Sequence, residues 1–326
     1  MRLSPTLRIV SAVVFVLALL VGVPIMIDFT GRNDLYYTLT SVALLSIISA
    51  GVWITFYIGR INIGQGAYAL MGGYVSAILV MDYGMSFWLT LPLAGLFCAV
   101  ASVFIGLPIL RLRGVYFAMV TLVLTEVVRL LALALPITNG AKGIVSIPLP
   151  TGMGLFGVRL VPDFATLANP RLAFYIVAVV LMALCFLGLY RLAHSRIGQL
   201  CQSLQQNEEL ASSIGVNIAY LRVVAYALSS FLGGVGGAMF ASISQSIYPS
   251  SFTVADSVNF MLNCFLGGLA YVLGPLLGTF VLYFGWDVLF QTGEFQLLIY
   301  STALIALMLA LPNGLLSVSL PGKRSA

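Results

Sequence analysis

Long apolar runs, broken by short polar or Gly/Pro-rich links, dominate this chain. Ten of them fall at 9–27, 35–58, 63–81, 87–110, 114–135, 172–190, 221–243, 257–273, 275–291 and 296–311. A helix needs about 20 apolar residues to cross about 30 Å of hydrocarbon. The pattern therefore predicts an all-α membrane protein of about ten transmembrane helices, with residues 1–326 forming a single transmembrane domain. The third run is rich in glycine, and only the turn Gly274-Pro275 divides the eighth from the ninth. The first run is long for the apolar core of a signal peptide and lacks a small-x-small cleavage site. It is expected to stay as an uncleaved first span.

Two connections exceed a turn. The one at about 136–171 is rich in Gly and Pro, whereas the one at about 191–220 is polar and reads as helix. Five runs precede the first connection and five follow it. An odd number per half sets the halves in opposite orientations, so a 5+5 inverted-repeat bundle is expected from topology, without a sequence match between the halves.

Composition agrees with the pattern. Apolar residues make up 61% of the chain and charged residues 8%, against about 25% charged in a soluble domain; the mean hydropathy is +1.08. A net charge of +5 does not point to nucleic acid, because the basic residues stand in ones and twos at the ends of apolar runs. With the N-terminus in the cytoplasm, the inner side receives Arg2, Arg8, Arg60, Arg111, Arg113, Arg191, Arg196, Arg222, Lys323 and Arg324. The outer side receives Arg32, Lys142, Arg159 and Arg171. That bias places both termini and the 191–220 connection in the cytoplasm, and the 136–171 connection outside. Cys98, Cys185, Cys201 and Cys264 lie in or beside apolar segments without metal-ligand spacing and read as packing residues.

In the inner connection Ile197, Leu200, Leu204, Ala211 and Ile214 recur near helical spacing. Asn207 before Glu208 and Glu209 reads as an N-cap, and Gly215 as a C-cap. One or two short amphipathic helices are expected there. Few basic residues line their polar face, so a protein partner is favoured over lipid. Elsewhere, Glu126 and Arg129 share a helix face inside the fifth run. Each charge there costs about 2.5–3.5 kcal/mol at mid-bilayer, and a structural ion pair is weighed ahead of substrate contact. Asn62, Gln65, Asn259 and Asn263 read first as interhelical hydrogen-bonding groups and second as pathway lining. Asn259 and Asn263, four apart, are expected on one face. The Gly233-Gly234-Val235-Gly236-Gly237 cluster permits close helix approach, and Trp88 and Trp286 read as interface anchors. The lone His194 has no carboxylate or thiol arranged around it. Neither Lys142 nor Lys323 lies in a G-x-x-x-x-G-K-[ST] loop, so the chain cannot hydrolyse ATP by that device.

Ser195, Arg196, Gly198, Asn207, Glu208, Ala211 and Gly215 match the cytoplasmic-loop pattern S-R-x-G…E-N-E-x-A-A-x-x-x-G of the LivM-type permease subunits of ATP-binding-cassette importers for branched-chain amino acids. The chain resembles that family elsewhere too: at Gly64-Gln65-Gly66-Ala67-Tyr68 with Gly72-Gly73-Tyr74, at Leu107-Pro108 with Arg111-Leu112-Arg113-Gly114-Val115-Tyr116, and at Thr138-Asn139-Gly140. Gly267-Gly268 with Gly274-Pro275, and Leu311-Pro312-Asn313-Gly314-Leu315, continue the match. Each motif alone is short; their order over residues 60 to 315 carries the resemblance. It departs at Gln199, Gln202 and Gln205, where the family often has Arg, and at Gln65, where it often has His.

The resemblance implies a bacterial inner-membrane permease that works by alternating access. It binds no cofactor itself; ATP is used by separate ATPase subunits, and the other partners are a second permease subunit and a soluble substrate-binding protein. Arg196, Gly198, Asn207, Glu208, Ala211 and Gly215 are then the residues coupled to the ATPase. Gln65, Tyr68, Glu126, Arg129, Asn259 and Asn263 are candidates for the substrate path. Two alternatives stand beside an amino-acid importer: a relative on the same scaffold that carries urea, amides or small carboxylates, and an ion-coupled transporter with Glu126 as proton site. A membrane enzyme or channel is disfavoured, because no nucleophile cluster or ring of charge is present.

Overall fold

The computed structural model describes residues 18–30, 34–155, 158–161, 163–167, 169–213, 215–289, 295–311 and 314–318. The start of the 9–27 run, the basic residues Arg2, Arg8, Arg32, Lys323 and Arg324, and Ile214, Pro312 and Asn313 lie outside them.

The apolar runs fold as helices. A π-turn (Ala18–Gly22) leads into α1 (Val23–Thr30). The helices α2 (Asp34–Tyr57), α3 (Gln65–Met81), α4 (Phe87–Ile109), α5 (Gly114–Ala134) and α6 (Pro170–Ala193) follow. The polar connection holds α7 (Arg196–Gln206) and α8 (Glu208–Ser213). Next come α9 (Ile218–Ser244), α10 (Val254–Gly267), α11 (Gly274–Leu289), α12 (Gln296–Ala310) and the short α13 (Leu315–Val318). Among the described residues, six stretches are long and apolar enough to cross a membrane: Asp34–Tyr57, Phe87–Ile109, Gly114–Ala134, Pro170–Ala193, Ile218–Ser244 and Gln296–Ser317, the last reaching from α12 into α13. The remaining apolar helices are shorter. At about 1.5 Å per residue, α3 rises about 26 Å and α10 about 21 Å.

Several boundaries differ from the hydropathy pattern. Helix α6 runs on to Ala193 and α9 starts at Ile218, so the polar connection narrows to 194–217. The eighth run, expected at 257–273, is the helix 254–267 instead. A reciprocal cap starts it early: Asp256 Oδ2 accepts from the Thr253 backbone N–H at 2.7 Å, and Thr253 Oγ1 accepts from the Asp256 N–H at 3.4 Å. Gly268, at φ 108°, ends it. The Gly/Pro-rich loop is ordered by two small antiparallel pairs. Strands β1 (Ile144–Val145) and β4 (Ser246–Ile247) pin it to the end of α9, and β2 (Met153–Leu155) pairs with β3 (Val158–Val161). The Trp88 indole also donates to the Thr151 carbonyl at 2.9 Å, tying α4 to that loop.

The core is built around α9, which packs on α2, α3 and α4. Small residues make this possible. A methyl at Gly237 would overlap the Ala69 carbonyl of α3, and one at Gly72 would overlap the Gly234 backbone. Without side chains at these points the backbones meet directly and gain dispersion contacts, the main attraction available between helices in lipid. The outer helices α4, α5 and α6 instead leave Leu96, Phe104, Val115, Leu130 and Leu184 exposed. Such apolar surface fits hydrocarbon and would be a liability in water.

Candidate functional site

The 194–217 connection forms a capped two-helix unit against one end of the bundle. Ser195 Oγ accepts from the Gly198 N–H at 3.3 Å and starts α7. Asn207 Oδ1 accepts from the N–H groups of Glu209 (3.0 Å) and Leu210 (3.1 Å) and starts α8. At its far end, Gly215 N–H donates to Ser212 O at 3.0 Å and Val216 N–H to Ala211 O at 3.2 Å. Gly215 takes φ +82°, the left-handed turn that ends helices in this pattern. The unit therefore needs no partner to satisfy its helix ends.

Its buried side is Gly198, Cys201 and Leu204 on α7, then Ala211 on α8. Of the apolar positions at helical spacing, Leu204 and Ala211 are buried, Ile197 lines the rim of a small apolar pocket with Trp53, Tyr57 and Leu192, and Leu200 is exposed, as is Leu210, at 65%. A methyl on Gly198 would overlap the Leu192 carbonyl and come within 2.6 Å of the Ala193 oxygen, so α7 is drawn down onto the end of α6 on the glycine side. Arg196, Gln199, Gln202, Gln205 and Glu209 are exposed as well.

Glu208 points the other way, into a group of arginines. Arg222, near the start of α9, lies 2.6 Å from Glu208 Oε2. Arg113, just before α5, lies 3.3 Å from Oε1, and Arg60, in the α2–α3 link, lies 3.9 Å from Oε2. Burial pushes the Glu208 carboxyl up, but the Arg222 hydrogen bond and the charges of Arg222, Arg113 and Arg60 outweigh it and hold the pKa below the usual value. The attachment is therefore present above the ordinary carboxylate range and is lost only as pH falls through the lowered value. Burial and repulsion from Arg222 pull the Arg60 guanidinium down; Glu208 opposes them, and Arg113 adds to them.

The path candidates separate into two groups. Gln65 and Tyr68 are sealed between α3 and α9. Gln65 Oε1 accepts from Asn62 Nδ2 (3.3 Å) and Ser229 Oγ (3.0 Å), and its Nε2 donates to the Ser229 carbonyl at 2.8 Å. The Tyr68 hydroxyl donates to that of Tyr226 at 3.0 Å. Asn263 is also buried, donating to Ser49 Oγ at 3.0 Å. These groups hold helices together in this conformation. Asn259 does not share the burial of Asn263; it is exposed, because Ser257, Phe260 and Cys264 take the inner side of α10. Glu126 and Arg129 form a two-point ion pair, Nε to Oε2 at 2.9 Å and Nη2 to Oε1 at 2.5 Å. The pair stands on α5 with side chains 40% and 28% exposed. His194 is exposed and stacks on Tyr190.

Residues 35–312 match the family described as branched-chain amino acid transport system / permease component. The chain belongs to that family. The permease is 31% identical over 321 residues to the high-affinity branched-chain amino acid transport system permease protein LivM of Escherichia coli (strain K12), covering 94% of this chain and 75% of that protein. It is 32% identical over 282 residues to LivM of Salmonella typhimurium, covering 81% of this chain and 65% of that protein. The chain thus spans about two thirds to three quarters of the length of these relatives. The E. coli ribose import permease protein RbsC is 22% identical over 86% of both chains. No solved structure matches the permease.

In the sequence Arg60 and Arg222 stand out only by their sidedness, and Arg113 by its sidedness and its place in a family motif. Their convergence on Glu208 joins positions 148, 95 and 14 residues apart. Hydropathy carries no signal for such pairings. The one cue available was that each stands at the same end of an apolar run as the polar connection of the permease.

Proposed function

We propose that this chain is the membrane-spanning permease subunit of an ATP-binding-cassette importer, moving branched-chain or related amino acids by alternating access. The observation that carries this reading is the capped α7–α8 unit, whose apolar side chains Leu200 and Leu210 are exposed on the side away from its buried face. A self-sufficient helical unit with an outward apolar face, framed by uncharged glutamines, suits the groove of a partner protein. That partner is the ATPase subunit, which supplies the ATP cycle; this chain binds no cofactor of its own. The polar connection and both termini then face the cytoplasm of a bacterial inner membrane. The loop between α5 and α6, pinned to α9 through β1 and β4, meets the soluble substrate-binding protein outside.

On this reading the bundle has about ten spans in a 5+5 inverted repeat, the first apolar run, 9–27, and the shorter helices α3, α10 and α11 completing the six long stretches. A second permease subunit covers the face of α5 that carries Glu126 and Arg129, because a charged pair half exposed to hydrocarbon is costly. Asn259 lies on α10, which packs on α5 through the Thr125–Ser257 contact at 3.1 Å, and is the third polar candidate for the path between the subunits. An ion-coupled mechanism through Glu126 is disfavoured, since both its oxygens are held by Arg129. Substrate identity rests on the names of the relatives. Mass spectrometry of what co-purifies with the soluble receptor separates amino acids from urea, amides and small carboxylates.

The docking claim has a direct test. The double variant Leu200→Asp, Leu210→Asp places two charges on the exposed face and leaves the buried Gly198, Cys201, Leu204 and Ala211 unchanged. Co-purification of the ATPase is expected to fall about tenfold or more, the loss typical of interface anchors. Unchanged co-purification would overturn the reading.

A further inference from the structure

Glu208 is held by three arginines that come from three separate parts of the bundle. Arg60 follows α2, Arg113 precedes α5, and Arg222 belongs to α9, the helix on which α2, α3 and α4 pack. Two of these are out of reach of any docked protein: the Arg60 side chain is 5% exposed and that of Arg222 11%, against 28% for Glu208 and 75% for Arg113. The caps at Asn207 and Gly215 make α8 a rigid piece, so the carboxylate moves when the helix moves.

We propose that Glu208 is the joint between the coupling segment and the bundle: it makes no contact with the ATPase, and through its carboxylate a displacement of α8 pulls on the α2–α3 link, the α4–α5 link and α9 together. This rests on the reading of α7 and α8 as the ATPase-docking unit. It differs from that reading in assigning docking and force transfer to opposite faces of the same two helices, with Leu200 and Leu210 outside and Glu208 inside.

Charge balance makes this joint stronger than a surface ion pair. Three guanidiniums share one carboxylate, and the buried Arg60 Nη2 and Arg222 Nε atoms have no hydrogen-bond partner. Neutralising Glu208 therefore does more than delete one attraction. It leaves three like charges crowded in a partly buried site, and breaking a buried pair from one side costs far more than an exposed pair is worth. The arginines would push apart, and α8 would slide without carrying the bundle. The 3.9 Å gap to Arg60 also gives the joint a direction of travel: a small inward shift of Glu208 would satisfy the atom that is now unpartnered. Glu209, its exposed neighbour, makes no ion pair among the described residues and provides the control.

The experiment uses the complete importer in proteoliposomes, with receptor, both permease subunits and ATPase. It reads ATPase co-purification, ATP hydrolysis, and substrate taken up per ATP. Glu208→Gln is expected to keep the ATPase bound and hydrolysing within about twofold, while uptake per ATP falls about tenfold or more, the loss appropriate to charge-assisted hydrogen bonds. Arg113→Gln, at an exposed position the fold tolerates, is expected to lower uptake per ATP about threefold, as for one exposed tether. Glu209→Gln is expected to match the parent protein. Unchanged uptake per ATP in Glu208→Gln and Arg113→Gln would overturn the joint, as would loss of the ATPase from Glu208→Gln, which would make Glu208 a docking residue. Retention of the ATPase by the Leu200→Asp, Leu210→Asp variant would instead remove the docking reading itself, so the two failures are told apart.

Discussion

Gly237→Ala is expected to prevent the bundle from assembling, although it adds a single methyl group to an apolar helix. At this position α9 lies directly on α3, and the new carbon would overlap the Ala69 carbonyl oxygen. The obstacle is backbone and cannot rotate away, so the two helices must part. Their separation would propagate to the Gly72–Gly234 contact and to the buried Gln65–Ser229 hydrogen bonds, which would then lack partners in a medium without water. Overpacking of this kind costs about 3 kcal/mol or more, at the upper end of its usual range. Gly188→Ala in α6 makes the same chemical change where a methyl meets nothing within 4 Å, and alanine is the better helix former. Yield and thermal midpoint in detergent should collapse for Gly237→Ala and hold or rise for Gly188→Ala. Equal behaviour of the two would mean that α3 and α9 do not meet as described.

Gly198→Ala is expected to leave the bundle folded and to disable the lever. The methyl would strike the carbonyls at the end of α6, where the chain turns from the last apolar helix into α7. Helix α7 would lift from its seat, and the buried contacts of Cys201 and Leu204 would open behind it. Alanine has no difficulty with helical backbone, and the Ser195 cap survives, so α7 itself persists. What is lost is the fixed angle between α7 and α6. Uptake should fall about tenfold or more, since a misplacement of about 1 Å in a functional arrangement can cost that much or more, while the purified chain keeps its thermal midpoint within a few degrees. Normal uptake would show that the seat of α7 is not mechanically important.

The helices themselves were largely legible in the sequence, and the reason is physical. A run of apolar residues long enough to span hydrocarbon leaves the backbone no alternative to internal hydrogen bonding, and most observed ends fall within three residues of the ends of the runs. The caps of α8 were legible too, because Asn207 and Gly215 act through local chemistry. The end of α10 was not. Leu269, Ala270, Tyr271, Val272 and Leu273 are as apolar as a helix, but the turn at Gly268 takes them out of it. They stay useful there: the Leu269 carbonyl accepts the Trp53 indole at 2.9 Å.

Facing was the harder property. Helices α2 and α9 are apolar all round, so composition could not say which side is inside. It therefore could not show that Gln65 and Tyr68 are sealed between helices while Glu126, Arg129 and Asn259 are not. Glu208 was singled out as a motif residue, but its partners come from three distant links, and only the folded bundle brings them together.

The central claim, that a separate ATPase drives this bundle through its polar connection, is tested most directly by uptake into proteoliposomes. The importer is assembled with and without its ATPase, in the presence and absence of ATP, and with the proton gradient collapsed. The account predicts uptake of the receptor's ligand only when ATPase and ATP are both present, undiminished by loss of the gradient. Uptake by the permease subunits alone, or uptake that follows the gradient and ignores ATP, would contradict it.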